Sequence, residues 1–225
     1  VPDILLYITV ALGAYLLGSI PFGFLVARWK GVDIRNAGSG NIGATNAMRV
    51  LGKPMGILVL LLDAFKGYAA CQFLPALIYN WFAPQYSGFV FYFHSEPVEF
   101  QTKIRVVAGI FAVLGHNYPC WLKFKGGKGI ATTAGVFLAL AHWAVLIALI
   151  VFVLAVVLTR YVSVGSIAAA VALPVTVWVM TPHNLLLDVV TTALGVLAIY
   201  KHKSNIKRLM AGTENRLGTK AEVTK

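Results

Sequence analysis

The run from Ile4 to Trp29 contains a single charged residue, Arg28, and comparable apolar runs recur along the rest of the chain. About 20 such residues suffice to cross the hydrocarbon core of a bilayer as a helix. With 59% hydrophobic and 12% charged residues, the chain also carries too little charge to solvate the surface of a soluble domain. It is therefore read as an all-α integral membrane protein, a polytopic bundle of transmembrane helices. Residue 1 is Val, and the first run continues into polar sequence without a small-residue cleavage site, so it is read as a retained span rather than a signal peptide. Cys71 and Cys120 lie in or beside apolar runs. Two cysteines supply neither a disulfide framework nor a zinc site.

The formal net charge of +11 is unevenly placed. Lys and Arg gather at 28–53 (Arg28, Lys30, Arg35, Arg49, Lys53), at 123–128 (Lys123, Lys125, Lys128), at Arg160 and in the tail from Lys201 to Lys225. The joints near His142 and from Thr181 to Asn184 carry none, and only Lys103 and Arg105 flank the segment 82–104. Cytoplasmic loops of membrane proteins are enriched in Lys and Arg, so the four basic places are assigned to the cytoplasm. Alternation then puts spans at 4–27, 55–80 and 105–121, a short helix from 131 to about 141, a return helix to 158, and spans at 162–180 and 185–200. That makes about seven helices, with the amino terminus outside and the carboxyl terminus cytoplasmic. The helix 131–141 is too short to cross alone; the alternative is one long span there and five or six crossings in all. No repeat, low-complexity tract or soluble domain interrupts the pattern, and residues 1–225 are read as one domain. The outer segment 82–104 mixes aromatics with Pro, Glu and His, as interfacial loops do.

Three polar patches fall on the side assigned to the cytoplasm. The first, GSGNIGATNAMR at 38–49, matches G-x-G-x-x-G at Gly38, Gly40 and Gly43. A transmembrane helix precedes it and no βαβ unit surrounds it, which removes the context of a dinucleotide fingerprint. Glycine-rich sequence opening a helix is still an anion site, because unpaired amides point outward and glycine admits an oxyanion to the backbone. A helix starting near Asn41 stacks Asn41, Thr45 and Arg49 on one face, with Asn46 beside Arg49 and Ser39 at the mouth. The plainer reading is a flexible turn with a surface arginine; two asparagines and a threonine on the arginine's face argue against it.

The second patch, KFKGGKGIAT at 123–132, lacks the Walker A frame. Gly126, Gly127 and Gly129 are expected to expose amides, with Lys128 a point charge at the start of the next helix; binding of anionic lipid by the three lysines is the alternative. The third, YKHKSNIKRL at 200–209, puts His202 and Asn205 on one helix face with Arg208 a turn further and Glu214 the nearby acid. The alternative there is an interfacial histidine. Within span two, Asp63 and Lys66 lie three apart inside the hydrocarbon, where ionisable groups face the interior and pair. A structural pair is favoured over a direct substrate contact. His183 to Asp188 (HNLLLD) meets the H-x-x-x-x-D spacing of acyl-CoA-dependent glycerolipid acyltransferases, but the topology puts it on the outer face, away from the basic patches, and it is discounted.

In this order and spacing, GSGNIGATNAMR, LDAFKG, LGHNYPCWLKFKGGKGIAT and YKHKSNIKRLMAGTEN resemble the bacterial membrane acyltransferase family that moves an acyl group from acyl phosphate to glycerol 3-phosphate, over nearly the whole chain. The resemblance implies a seven-helix protein of the bacterial cytoplasmic (inner) membrane whose cytoplasmic motifs form one site, with 1-acyl-glycerol 3-phosphate as product. Ser39 and Arg49 match the essential serine and arginine of the first motif. Gly126, Gly127, Lys128 and Gly129 match the phosphate-binding second motif, His202 and Asn205 the functional pair of the third, and Glu214 its glutamate, with a structural role. The expected catalytic set is thus Ser39, Arg49, Lys128, His202 and Asn205. Gly38, Gly40, Asn41, Thr45, Asn46, Gly126, Gly127 and Gly129 are expected to bind substrate, and Asp63, Lys66 and Glu214 to support them. The segment 82–104 is longer than the family pattern. No cofactor, metal or nucleic acid is expected; the partners are the two substrates and the lipid bilayer, and a monomer is the expected form.

Residue chemistry agrees with that implication. Both substrates carry phosphate, one is water-soluble and one has a fatty tail, so the expected site is a cationic, amide-lined pocket at the inner leaflet, open sideways to lipid. The donor is a mixed anhydride with phosphate as leaving group, so the glycerol 1-hydroxyl can attack directly, with no covalent enzyme intermediate. Arg49 and Lys128 would neutralise charge on the leaving group while Ser39, Asn205 and backbone amides donate to oxyanions. The proton goes either to His202 or to a substrate phosphate oxygen. The competing class, a transporter of an organic phosphate, would place its site near the midplane between repeats, whereas the polar motifs here sit in cytoplasmic loops.

Overall fold

The computed structural model describes residues 3–82, 96–181 and 184–218, and all regular structure among them is helical. The first apolar run is two helices, α1 (Asp3–Gly18) and α2 (Phe22–Trp29), instead of the single helix expected over 4–27. Pro21 causes the break: it lacks an N–H and pushes Ile20 away from helical backbone. A break within lipid strands a carbonyl that apolar neighbours cannot satisfy. Here the Ile20 carbonyl accepts a hydrogen bond from Lys66 Nζ at 2.8 Å.

Lys66 arrives from the next long element. A loop and α3 (Ala44–Leu51) lead into α4 (Lys53–Gln72), which continues past a kink at Phe73 as α5 (Leu74–Phe82). On α4, Lys66 Nζ lies 2.8 Å from Asp63 Oδ1, with the two side chains 2% and 3% exposed. His116 Nδ1 stands 3.5 Å from the same oxygen. The intramembrane pair expected from LDAFKG is formed, and its lysine doubles as the cap on the α1–α2 break.

The remaining elements are α6 (Val98–Asn117), α7 (Ile130–Leu140), α8 (His142–Thr159), α9 (Val162–Met180), α10 (Leu185–Lys201) and α11 (Lys203–Met210). The helix expected from 105 begins earlier, at Val98, and stops at Asn117, two residues before Pro119. The break expected near His142 falls at Ala141, whose non-helical backbone separates α7 from α8. Among the described residues, Ile4–Trp29, Lys53–Phe82, His142–Thr159 and Val162–Met180 are long and apolar enough to cross a bilayer, with a fifth if the bent pair α10 and α11 counts as one span. α6 carries Glu99, Lys103 and Arg105 in its first half. At 11 residues, α7 is only about 16 Å long.

Lipid offers helices no hydrophobic drive to associate, so close approach depends on small residues. A Cβ at Gly67 of α4 would lie 2.2 Å from the Thr132 carbonyl oxygen of α7, and one at Gly135 of α7 would lie 1.8 Å from the Ala64 oxygen. These contacts seat the short α7 against α4, with Thr132, Thr133, Val136 and Phe137 buried. The amino end of α7 is thereby held inside the bundle instead of at its rim. The outward faces carry exposed Leu149, Ile150 and Leu158 on α8 and Val175 and Trp178 on α9, which suits contact with lipid.

Of the outer segment expected at 82–104, residues 83–95 lie outside the described residues; Tyr79 donates to Glu96, and Lys103 pairs with Glu99 at 2.6 Å on the first turns of α6. His183 of the HNLLLD match and tail residues Lys220 and Lys225 also lie outside them, while Asp188 is buried on α10.

The buried pair generates a stability prediction. Removing one member of a buried ion pair leaves the other uncompensated, at a cost of about 3–5 kcal/mol. Lys66→Met should therefore sharply lower the thermal midpoint of the purified protein in detergent, whereas Leu158→Met at an 81% exposed position should not move it.

Candidate functional site

The loop before α3 is organised around one side chain. Asn46 is 2% exposed; its Nδ2 donates to the carbonyls of Asn41 (2.9 Å), Ala37 (3.0 Å) and Ile34 (3.3 Å), and its Oδ1 accepts from the Ser39 N–H at 2.8 Å. These contacts are all internal, so Asn46 builds the loop instead of offering its amide to a ligand as the sequence suggested. The helix starts at Ala44, three residues later than expected. Asn41 therefore stands ahead of it and accepts the Gly43 N–H at 2.8 Å, and only Thr45 and Arg49 share a face at i, i+4. Gly38 and Gly40 take positive φ of 58° and 70°, which turns the chain so that Ser39 is presented; with its N–H engaged, Ser39 offers its hydroxyl.

The second patch follows α6. Gly126 N–H donates to the Asn117 carbonyl at 3.2 Å and Gly127 N–H to the His116 carbonyl at 3.0 Å. The two amides expected to face an anion are thus used inside the loop. These positions need the absence of a side chain: a Cβ would lie 2.2 Å from the His116 oxygen at Gly126 and 2.0 Å from His116 Nε2 at Gly127. Donors appear one step later, at the leading amides of α7, which have no intrahelical acceptor and stand at the positive end of the helix dipole. Lys128 precedes them and its Nζ donates to Asn205 Oδ1. Burial pulls the Lys128 ammonium down to about 8; Glu214 resists the shift, and Arg208, Arg49 and Lys201 add to it.

The third patch lies where α10 and α11 meet at 53°. His202 sits at the bend, 2% exposed, with Nδ1 2.8 Å from the Ala198 carbonyl. A carbonyl can only accept, so Nδ1 carries the hydrogen and Nε2 is left as an acceptor. Burial, with Lys128 nearby, pushes His202 down to about 4; the imidazole is neutral near pH 7. Asn205 Nδ2 donates to Glu214 Oε1 at 2.7 Å, and Arg208 Nε donates to Glu214 Oε2 at 2.7 Å. Because a carboxylate accepts only, Glu214 fixes which way the Asn205 amide points, and its oxygen is presented to Lys128. Burial opposes the charge on Glu214, but the hydrogen bonds from Asn205 and Arg208 hold its carboxyl below the usual range.

Side chains from all three patches line one cavity of about 130 Å³: Ser39, Asn41, Thr45, Asn46 and Arg49 from the first, Lys128 and Gly129 from the second, His202, Asn205 and Glu214 from the third. Asp63 forms part of its wall, so Lys66 is tied to it through Asp63. Gly38, Gly40, Gly126 and Gly127 stand behind the lining and shape it. Arg49 is held at 3.4 Å by the Asn215 carbonyl. An apolar groove of about 330 Å³ adjoins the cavity and shares Leu60, Ile130, Ala131 and Phe152 with it. The arrangement can hold phosphate oxygens on cations, hydroxyls and helix-end amides while an aliphatic chain runs along the groove.

The sequence reading missed Ser163 and Ser166 at the start of α9, and His116, all lining the cavity. The first two were signalled by RYVSVGS, in which hydroxyls three apart follow a basic residue at a helix start; His116 had only its place just ahead of the second patch. Among the described residues no three His, Cys, Asp or Glu come together as a metal site requires.

Residues 8–212 match the family described as glycerol-3-phosphate acyltransferase. The chain is 44% identical over 217 residues to the glycerol-3-phosphate acyltransferase of Desulforamulus reducens, spanning 95% of this chain and 96% of that one. It is 46% identical over 204 residues to that of Trichlorobacter lovleyi, spanning 91% and 94%. It is also similar to the crystal structure of PlsY (YgiH), an integral membrane glycerol 3-phosphate acyltransferase, in its glycerol 3-phosphate form, with a TM-score of 0.79 and 38% identity over 95% of this chain and 96% of that one. The lysophosphatidic acid form of PlsY gives a TM-score of 0.77 at 37% identity, with the same coverage.

The Glu214–Asn205–Lys128 chain makes a measurable prediction. Glu214 favours the charged form of Lys128, so in Glu214→Gln the ammonium should lose its proton at lower pH than in the wild type. The pH dependence of Lys128 acylation by a small amine reagent, followed by mass spectrometry, reads this directly.

Proposed function

The chain belongs to the glycerol-3-phosphate acyltransferase family, and from that premise we propose that it transfers a fatty acyl group from acyl phosphate to the 1-hydroxyl of sn-glycerol 3-phosphate. The products are 1-acyl-glycerol 3-phosphate and phosphate, the first step of phospholipid synthesis. The observation that carries this reading is the single cavity lined by Ser39, Arg49, Lys128, His202 and Asn205 and continuous with an apolar groove. A polar chamber for two phosphates that opens onto a trough for a chain is what a soluble acceptor and a lipid donor together require. The solved relative's glycerol 3-phosphate and lysophosphatidic acid forms support it.

In the proposed reaction the glycerol hydroxyl oxygen attacks the acyl carbon, the carbon–oxygen bond to phosphate breaks, and phosphate leaves with the electron pair. Arg49 and Lys128 stabilise charge as it grows on the leaving phosphate, and Ser39 and the first amides of α7 donate to oxyanions in a site held ready by its hydrogen bonds. Holding both reactants in line supplies a further large part of the rate. A base pushed down to about 4, as His202 is, accepts a proton poorly near neutrality. A substrate phosphate, with a second pKa of about 6, is the better acceptor, and His202 Nε2 holds the hydroxyl for attack. Glu214, Asp63 and Lys66 act as supports, and the reaction needs no cofactor.

We read the whole chain as one acyltransferase domain of the bacterial inner membrane, crossing about seven times with the amino terminus outside and the site on the cytoplasmic side. The basic loops at 28–53 and 123–128, Arg160 and the carboxyl-terminal tail support that orientation.

The purified protein, offered radiolabelled glycerol 3-phosphate with acyl phosphate, acyl-CoA or acyl carrier protein in parallel, should turn over with acyl phosphate alone. Equal rates with a thioester donor would overturn the donor assignment. The Lys128 charge sets a second test. With its pKa lowered to about 8, the ammonium is intact below that value and is lost as pH rises through it. The kcat/KM for glycerol 3-phosphate should accordingly fall on an alkaline limb near pH 8, and Lys128→Arg should move that limb out of the accessible range.

A further inference from the structure

A second and larger chamber, of about 750 Å³, lies against the polar cavity and is lined by Met48, Arg49, Lys53, Arg160, Val162 and Leu217 among others. It shares Thr45, Arg49 and Val162 with the polar cavity, so the two meet at Arg49. It shares no residue with the apolar groove. Lys53 comes from the first turn of α4 and Arg160 from the joint between α8 and α9. Among the described residues neither cation forms an ion pair, and no Asp or Glu lines the chamber. The segment after α11 closes one wall: Leu217 N–H donates to the Arg160 carbonyl at 2.7 Å. Exposed, unpaired cations between apolar walls focus the field of a cleft and concentrate anions there.

We propose that this chamber is the vestibule through which the water-soluble phosphate monoester reaches the site, with Lys53 and Arg160 capturing its dianion and handing it to Arg49. The inference rests on the proposed reaction. It gives the two substrates separate doors, with the acyl donor sliding along the groove between α4, α7, α8, α9 and α10 and glycerol 3-phosphate arriving from water on the other side of Arg49. A phosphate dianion sheds its hydration in stages along such a path, meeting exposed Lys53 and Arg160 while still wet, then half-buried Arg49 and Lys128. Inorganic phosphate leaving after the reaction has the same chemistry, and an anionic lipid headgroup has part of it; the test separates the three.

Initial rates of the full-length protein in bilayers of neutral lipid, with each substrate varied in turn, are compared for the wild type, Lys53→Gln/Arg160→Gln and the charge-keeping Lys53→Arg/Arg160→Lys. The KM for glycerol 3-phosphate should rise about five- to tenfold in the glutamine variant, with kcat held within about twofold, the KM for acyl phosphate unchanged, and recovery in the charge-keeping variant. Added salt should raise the wild-type KM toward that of the glutamine variant and leave the latter nearly flat. An unchanged KM for glycerol 3-phosphate in the glutamine variant overturns the proposal. So does a change confined to inhibition by inorganic phosphate, or one that appears only when the bilayer contains anionic lipid. Wild-type turnover carries the reaction reading and the variant-to-wild-type KM ratio carries the vestibule, so the two fail separately.

Discussion

Lys66 is the joint on which the architecture turns. Its ammonium meets the Ile20 carbonyl at the α1–α2 break, the Asp63 carboxylate one turn back on α4, and the face of the Phe22 ring at 5.5 Å. Asp63 in turn faces His116, whose ring and carbonyl lie directly against Gly127 and Gly126. A continuous polar chain thus runs from the break in the first apolar run, through the middle of α4, to the loop that carries Lys128. In hydrocarbon none of these groups could be left alone. Satisfying one obliges the next to be where it is, and the loop inherits its position from a charge pair in the membrane.

The cavity itself is arranged around the cost of burying cations. Lys128 gives up part of its affinity for the proton to burial, and Glu214, through Asn205, limits that loss. Arg208 secures the same carboxylate from the other side. The site therefore stays cationic without a direct Lys128–Glu214 pair that an incoming phosphate would have to break. Helix ends complete it: α3, α7 and α9 all begin at the cavity, and the first amides of a helix have no acceptor one turn earlier in the helix itself.

That arrangement also explains why the polar cavity sits between two unlike neighbours. The groove that adjoins it is built from α4, α7, α8, α9 and α10 and is almost wholly aliphatic. The chamber on the Arg49 side is basic and bounded by the segment after α11. The close α4–α7 approach at Gly67 and Gly135 brings the start of α7 to the boundary between them, where the proposed chemistry needs a fatty carbonyl and a hydroxyl to meet.

The sequence by itself determined the apolar runs, the break near Ala141, the Asp63–Lys66 pair and the three patches that meet at the cavity. Each follows from properties of contiguous residues: the transfer cost of side chains into lipid, the length a helix needs to cross it, and the side-by-side placement of residues three apart on a helix. The same reasoning ran straight through Pro21, because an uninterrupted apolar run hides a break whose compensation comes from Lys66, 46 residues away. It also assigned the Gly126 and Gly127 amides and the Asn46 side chain to a ligand. Only the tertiary structure decided otherwise, by bringing the His116 and Asn117 carbonyls and the loop carbonyls from Ile34 to Asn41 within reach. It likewise decided that Lys128 and Asn205, 77 residues apart, would meet and that Ser163 and Ser166 would join them. A polar group's local sequence says that it must find a partner, but which partner it finds depends on where distant helices converge.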